Sequence, residues 1–361
     1  MSSKKHKHSA LWTNLLSLLA FVIVAVVIYQ NLGDIETTID HLRDTNLAIF
    51  LLLIPEQLVM LYAGGEIFFS FLNAAYSKAK LKTFKSASRP EVVRISLESN
   101  FVRAALPSAG VSSAAYLSWR LKPYGFTAPQ TSFIYLLRYF AIITFNQLQT
   151  VFAIFFILLF RPQTGAGVGT LILAAILAAG TALFLWLFII LISNSRRALW
   201  FAEKIIRFLN WLVRRVTFGK KRKLADYETI KSFILEMHTT YATAKQNKNI
   251  LKMPIFWGAI YSFFEIATYW VVSISLGHPE FLPEIMIGEA VGSIAGAILP
   301  YGLYELGMAG AMASLGVDLG LAGLIVVITR VVSLGETFLF GHLFYQASMR
   351  LKRSSESSHV A

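Results

Sequence analysis

The chain has no cysteine among its 361 residues. Disulfides, thiolate nucleophiles and cysteine metal sites are thereby excluded. Its seven histidines form no metal-ligand constellation: His6 and His8 lie in a basic N-terminal tail and the others are scattered. No phosphate-binding loop of the GxxxxGK[ST] type is present, which removes direct ATP drive. The glycine-rich stretch GAGVGT, residues 165–170, precedes a long apolar run instead of joining a strand to a helix. No Ser-His-acid or paired-carboxylate arrangement can be assembled. The expectation is a protein with no cofactor, no metal and no catalytic residues.

Charge is scarce too, at 15% of residues against 56% hydrophobic. Several apolar runs reach the roughly 20 residues that cross a bilayer core. This predicts an all-α polytopic membrane protein. The net charge of +13 would suit nucleic acid, but the basic residues cluster between apolar runs, where cationic loops lie against anionic lipid. No nucleic-acid partner is expected. The run at about 10–29 is longer than a signal-peptide core and is followed by no A-x-A-like cleavage site, so it reads as a retained helix.

Six spanning helices are expected, at about 10–29, 45–75, 129–160, 166–193, 252–276 and 319–347. Lys4, Lys5 and Lys7 put the N-terminus in the cytoplasm, by the positive-inside rule. The acidic loop after the first helix reads as external. MRLKR after the last returns the C-terminus to the cytoplasm, so the location expected is the plasma or inner membrane. Residues 1–9 are then a basic tail, 10–193 a first membrane half, 251–348 a second, and 349–361 a cytoplasmic tail. Between the halves, 194–250 carries ten Lys or Arg and one acid within 196–223, interleaved with Trp200, Phe201, Phe208 and Trp211. That is the pattern of an interfacial amphipathic helix.

Two further apolar segments are broken. Residues 95–121 are interrupted at Pro107 and Gly110, and 285–316 at Pro300 and Gly302. Each half of the first is too short to span at about 1.5 Å per residue. Both read as re-entrant hairpins. Leu106-Pro107 is followed by Gly125 and Arg138, and Leu299-Pro300 by Gly316 and Arg330; proline to arginine is 31 residues in one half and 30 in the other. The preceding helices share Tyr-x-x-x-Glu-Ile, at 62–67 and 261–266. Charge counting brings one hairpin in from each side, which predicts an inverted-topology repeat. Irregular backbone at membrane depth is tolerated where it packs in protein or lines a polar cavity, and paired breaks point to a midplane site.

Arg138, Arg330, Glu66, Glu265 and Glu336 lie deep in their helices, and Glu305 follows the second break. An unpaired ion there costs at least about 2.5–3.5 kcal/mol, so these groups should face inward and pair. The arginines suit an anionic headgroup, where guanidinium forks match phosphate, or an Arg–Glu pair that locks helices. Arg103 is either a headgroup ligand or a snorkelling side chain. Asn100 could serve the headgroup or the freed backbone.

ESNFVRAALPSAGVSSAAYLSWRLKPYGF and ILPYGLYELGMAGAMASLGVDLGLAGLIVVITR resemble the two signature regions of the lysylphosphatidylglycerol synthase transmembrane (flippase-like) family. The matching positions are Asn100, Leu106, Pro107, Gly110, Pro300, Gly302, Glu305, Gly316, Val317 and Arg330, and the resemblance covers about 10–350. It implies the membrane part without the aminoacyl-transfer domain, and so lipid translocation without synthesis. The expected activity is a flippase or scramblase for an anionic, aminoacylated or polyprenyl-linked lipid. Lipid-binding candidates are Arg103, Pro107, Gly110, Arg138, Pro300, Gly302, Glu305 and Arg330, supported by Glu66, Asn100, Glu265 and Glu336. The rivals are a membrane-embedded lipid-modifying enzyme and a scaffold that recruits a separate one.

Cysteine labelling of this cysteine-free chain tests the threading. Cysteines at Lys85 and Lys221 should label from the cytoplasm, and those at Glu36 and Glu280 from outside. Labelling of 36 and 221 from one side would remove the inverted repeat.

Overall fold

The computed structural model describes residues 45–75, 89–105, 110–161, 166–216, 227–245, 252–298 and 302–358. The first expected helix, Leu106, Pro107 and Pro300 lie outside them. The described residues are helical throughout, with short turns and two 3-10 segments. After a single turn at Leu47–Phe50, eleven helices follow. They are α1 Leu53–Ala75, α2 Arg89–Ala105, α3 Val111–Leu121, α4 Ala128–Phe160, α5 Ala166–Ser193, α6 Ser195–Val216, α7 Tyr227–Lys245, α8 Lys252–Ser275, α9 Leu282–Ile298, α10 Leu303–Ser314 and α11 Leu319–Ser358.

Five of these segments are long and apolar enough to cross a membrane: 47–72, α4, most of α5, α8, and 319–348 within α11. The protein is an all-α, multi-pass membrane protein. α5 shows why lipid is needed, since Ile172, Ile176, Leu183, Phe184 and Trp186 all point outward. In water such a surface would drive association.

Cross-contacts sort the helix ends onto two faces. On the first, Thr127 at the start of α4 donates to Glu236 of α7, and His238 of α7 bonds the Ile192 carbonyl near the end of α5 at 2.9 Å. On the second, the Asn46 amide bonds the Ser275 carbonyl at 2.8 Å, which brings the start of α1 to the end of α8. Arg161, just past α4, there meets Glu284 of α9 and donates to the Glu280 carbonyl at 2.6 Å. α1 and α8 therefore run antiparallel. The pair α2–α3 starts and ends on the α7 face, where Arg120 of α3 reaches Glu91 of α2 at 2.6 Å. The pair α9–α10 starts on the opposite face beside Arg161, and its end returns there, Ser314 meeting Thr170 of α5 at 2.6 Å. The hairpins enter from opposite faces.

The packing follows a twofold exchange of the two halves. α1 packs on α8, α2 on α11 and α9 on α4, while each hairpin also packs on the helix that follows it. Each repeat thus places its last helix against the other repeat's hairpin. The closest of these approaches is at Gly341 of α11, where a Cβ would lie 2.5 Å from the Phe101 Cβ and 2.9 Å from the Leu97 carbonyl of α2.

Three details depart from the sequence reading. The helix expected at 45–75 is interrupted at residues 51–52 by a turn, and its first turn is anchored where Asn46 accepts from the amides of Ala48 and Ile49. The hairpins begin earlier than expected, at Arg89 and Leu282, each with a proline at the second helical position, where its missing N–H costs nothing. α11 does not stop near 347 but runs to Ser358. Nothing in MRLKRSSESS breaks a helix, and 40 residues extend about 60 Å, well past one bilayer.

α6 carries Trp200, Phe201, Ile205, Phe208 and Trp211 outward. Lys204 lies 4.0 Å over the Trp200 ring. α6 packs on α5 and α7, so this basic, aromatic surface sits at the α7 face.

Gly341→Val should force α11 away from α2 and lower stability by about 1–3 kcal/mol or more, the cost of overpacking. Gly335→Ala, on the same helix with no atom within 4 Å of a built Cβ, should leave melting in detergent unchanged or slightly raised. Equal melting of the two variants would contradict the interlocked packing.

Candidate functional site

Both hairpins resume after their breaks through a glycine at positive φ, Gly110 at 87° and Gly302 at 90°. Side chains other than hydrogen rarely adopt that region. A Cβ on Gly110 would also come within 3.2 Å of the Tyr135 hydroxyl. The two breaks therefore bring helix starts, α3 and α10, to membrane depth.

At the second break the exposed amide is served internally. Glu305 accepts from the Gly302 amide at 2.7 Å and from Arg330 Nε at 3.0 Å. Arg330 also lies 3.7 Å over the Tyr304 ring, and the Tyr304 hydroxyl meets that of Tyr269 at 2.9 Å. Arg330 is committed to protein partners.

The first break is different. α3 starts at Gly110 with no side-chain cap. Arg103, in the last turn of α2, makes no hydrogen bond or ion pair among the described residues, and its side chain is exposed. It is nevertheless surrounded, because Tyr135 and Tyr139 of α4 and Tyr261 and Glu265 of α8 act on its charge. The Arg103 guanidinium is thus reached by solvent and lies in the field of polar groups of α4 and α8.

Arg138 is 4% exposed and donates to Ser96 of α2 at 3.1 Å. Its guanidinium packs against residue 64, a glycine, where a Cβ would lie 2.9 Å from Arg138 Nη2. Glu265 accepts from Asn146 at 3.0 Å, and Asn146 in turn accepts from Ser262. Arg103, Arg138 and Arg330 all act on Glu265, so three arginines from both repeats converge around one carboxylate. Glu305 and Glu289 also act on Arg330, so the three arginines lie among three acids.

Other expected groups fall outside this cluster. Glu66 accepts from Tyr62 of its own helix at 2.8 Å. Asn100 is half-buried with no hydrogen bond among the described residues. Glu336 is half-buried, its Oε2 without a partner, and it meets no arginine among the described residues. The expectation that it pairs with one is corrected.

Two ionic clusters were not foreseen. On the α7 face buried Glu98 accepts from Arg94, Tyr116, Arg120 and, on α11, Ser348, at 2.6–3.0 Å. On the opposite face Arg161 holds Glu284. Their signal was present: Pro90-Glu91 and Pro283-Glu284 each stand 17 residues before the Pro of a break, at matching hairpin starts. Each cluster ties one repeat's hairpin to the end of the other repeat's last helix.

A family model described as the lysylphosphatidylglycerol synthase TM region matches residues 14–341. The chain belongs to this family. No curated protein and no solved structure matches it. As a member of the lysylphosphatidylglycerol synthase TM family, it is a multi-pass membrane protein of lipid handling.

Removing Arg330 strands Glu305, and a double-mutant cycle reads the pair. Arg330→Gln should lower melting in detergent more than the Arg330→Gln, Glu305→Gln double variant predicts by addition, with a coupling of about 0.5–3 kcal/mol. Additive losses would dissolve the pair.

Proposed function

We propose that the protein moves a lipid with an anionic headgroup between the two leaflets, as a flippase or scramblase, and performs no chemistry on it. The observation that carries this reading is Arg103, an exposed guanidinium in the last turn of α2 with no hydrogen bond or ion pair among the described residues. A phosphate seated there would meet the fork of Arg103 and the uncapped start of α3. Both favour anions. Tyr135 lies beside both groups, within reach of Gly110 and in the field of Arg103. Arg138 and Arg330 are held by their own partners.

The two ionic clusters fit alternating access. Opening the site toward the α7 face would part α2 from the end of α11. Opening it to the other face would part α9 from the end of α4. The α7 face carries the basic helix α6, so it is assigned to the cytoplasm of a plasma or inner membrane by the positive-inside rule, with both termini on that side. A separate lipid-modifying enzyme would supply aminoacylated or polyprenyl-linked substrates.

Arg103→Gln tests the reading in proteoliposomes with fluorescently labelled phosphatidylglycerol. Loss of a charge-assisted contact worth about 1.5–3 kcal/mol should slow lipid movement about 10- to 100-fold, at tenfold per 1.4 kcal/mol, with melting unchanged. Normal movement in a well-folded Arg103→Gln protein would sink the assignment.

A further inference from the structure

The buried and half-buried acids differ in what they meet; Glu66 and Glu289 are buried without an arginine ion pair among the described residues. Glu98, Glu284 and Glu305 each hold an arginine, and Glu265 sits among three. Glu56 of α1 and Glu336 of α11 hold none among the described residues. Each has a buried carboxyl oxygen, Oε2, with no hydrogen-bond partner. An ionised carboxylate left so would be costly in hydrocarbon surroundings, whereas a carboxyl can shed its charge by taking up a proton.

The seat of Glu56 suits such an exchange. Gln57 Nε2 donates to the Thr268 hydroxyl oxygen at 2.7 Å. The single proton of Thr268 then has two acceptors at the same 2.8 Å distance, Glu56 Oε1 and the Phe264 carbonyl. When Glu56 is ionised, Thr268 can donate to it. When Glu56 is protonated, Thr268 can turn to Phe264 and accept from Glu56. Both protonation states are served without moving a helix. Thr268 and Glu336 are the groups that act on Glu56 from the helices around it, and Glu336 is the titratable one. The two carboxyls thus disfavour being ionised together.

Position links this seat to transport. Glu56 lines a groove between α1 and α8 with Pro55 and Trp270. Trp270 donates to the Pro279 carbonyl, in the loop on the face opposite α7, so the groove lies toward that face. α1 and α8 form one of the contacts between the repeats. Thr268 stands one turn from Glu265 of the arginine cluster on the same helix.

We infer that Glu56, with Thr268 and Gln57 and facing Glu336, is a proton-binding site through which lipid movement is coupled to a proton gradient. The coupling rests on the lipid-translocation reading; the proton site itself does not. Two measurements separate them. Infrared spectroscopy of the purified protein, titrated with pH, should show a protonated-carboxyl band that disappears in Glu56→Gln while melting holds. In proteoliposomes with labelled phosphatidylglycerol, an imposed pH gradient should change the rate of the native protein several-fold and that of Glu56→Gln not at all. Glu66→Gln, an acid held by Tyr62, should keep the dependence. A carboxyl spectrum identical in native and Glu56→Gln protein overturns the proton site, whatever the transport result. The band with gradient-independent movement overturns the coupling and leaves the lipid reading standing. No lipid movement by the native protein overturns the lipid reading and the coupling together, while the band alone still decides the proton site.

Discussion

Hydrocarbon offers no partner to a broken backbone, and the architecture of this protein follows from that. Each hairpin starts its second helix at a glycine of positive φ, Gly110 or Gly302. Broken backbone at membrane depth persists only if protein or enclosed water surrounds it. The interlock meets the requirement: α11 covers α2, α4 covers α9, and α1 and α8 seal the join. Small residues make this possible. Gly341 admits Phe101, Gly64 admits the Arg138 guanidinium, and Gly292 admits the backbone of α10, since a Cβ there would lie 2.9 Å from the Tyr304 carbonyl.

The two breaks differ in their partners. At the second, Glu305 bridges the Gly302 amide and Arg330. At the first, Arg103 makes no hydrogen bond or ion pair among the described residues. Two repeats that share spacing need not share side-chain partners.

The buried charges show how poorly a residue's type predicts its employment here. Arg138, Arg330 and Arg103 are alike in the sequence, deep and basic. One is enclosed beside Ser96, one is tied to Glu305 and Tyr304, and one is exposed with no ion pair among the described residues. Glu98, surrounded by four donors, and Glu56, with one bare oxygen, are likewise both acids in apolar helices. The difference lies in which neighbours the interlock delivers.

Much of the fold was legible without coordinates. Long apolar runs demand helices because a lone strand cannot satisfy its backbone in lipid, and proline with glycine inside such a run demands a break. The repeat could be read from proline-to-arginine spacing, and would have been firmer had Pro90-Glu91 and Pro283-Glu284 been matched. What the sequence alone could not decide is which charges pair. Partners such as Glu98 and Ser348, or Gln57 and Thr268, are separated by 250 and 211 residues. Hydropathy and helical period report only which face of a helix is apolar and how far it extends. Only the crossing of helices from two repeats brings a particular carboxylate to a particular guanidinium and leaves Arg103 without an ion pair among the described residues.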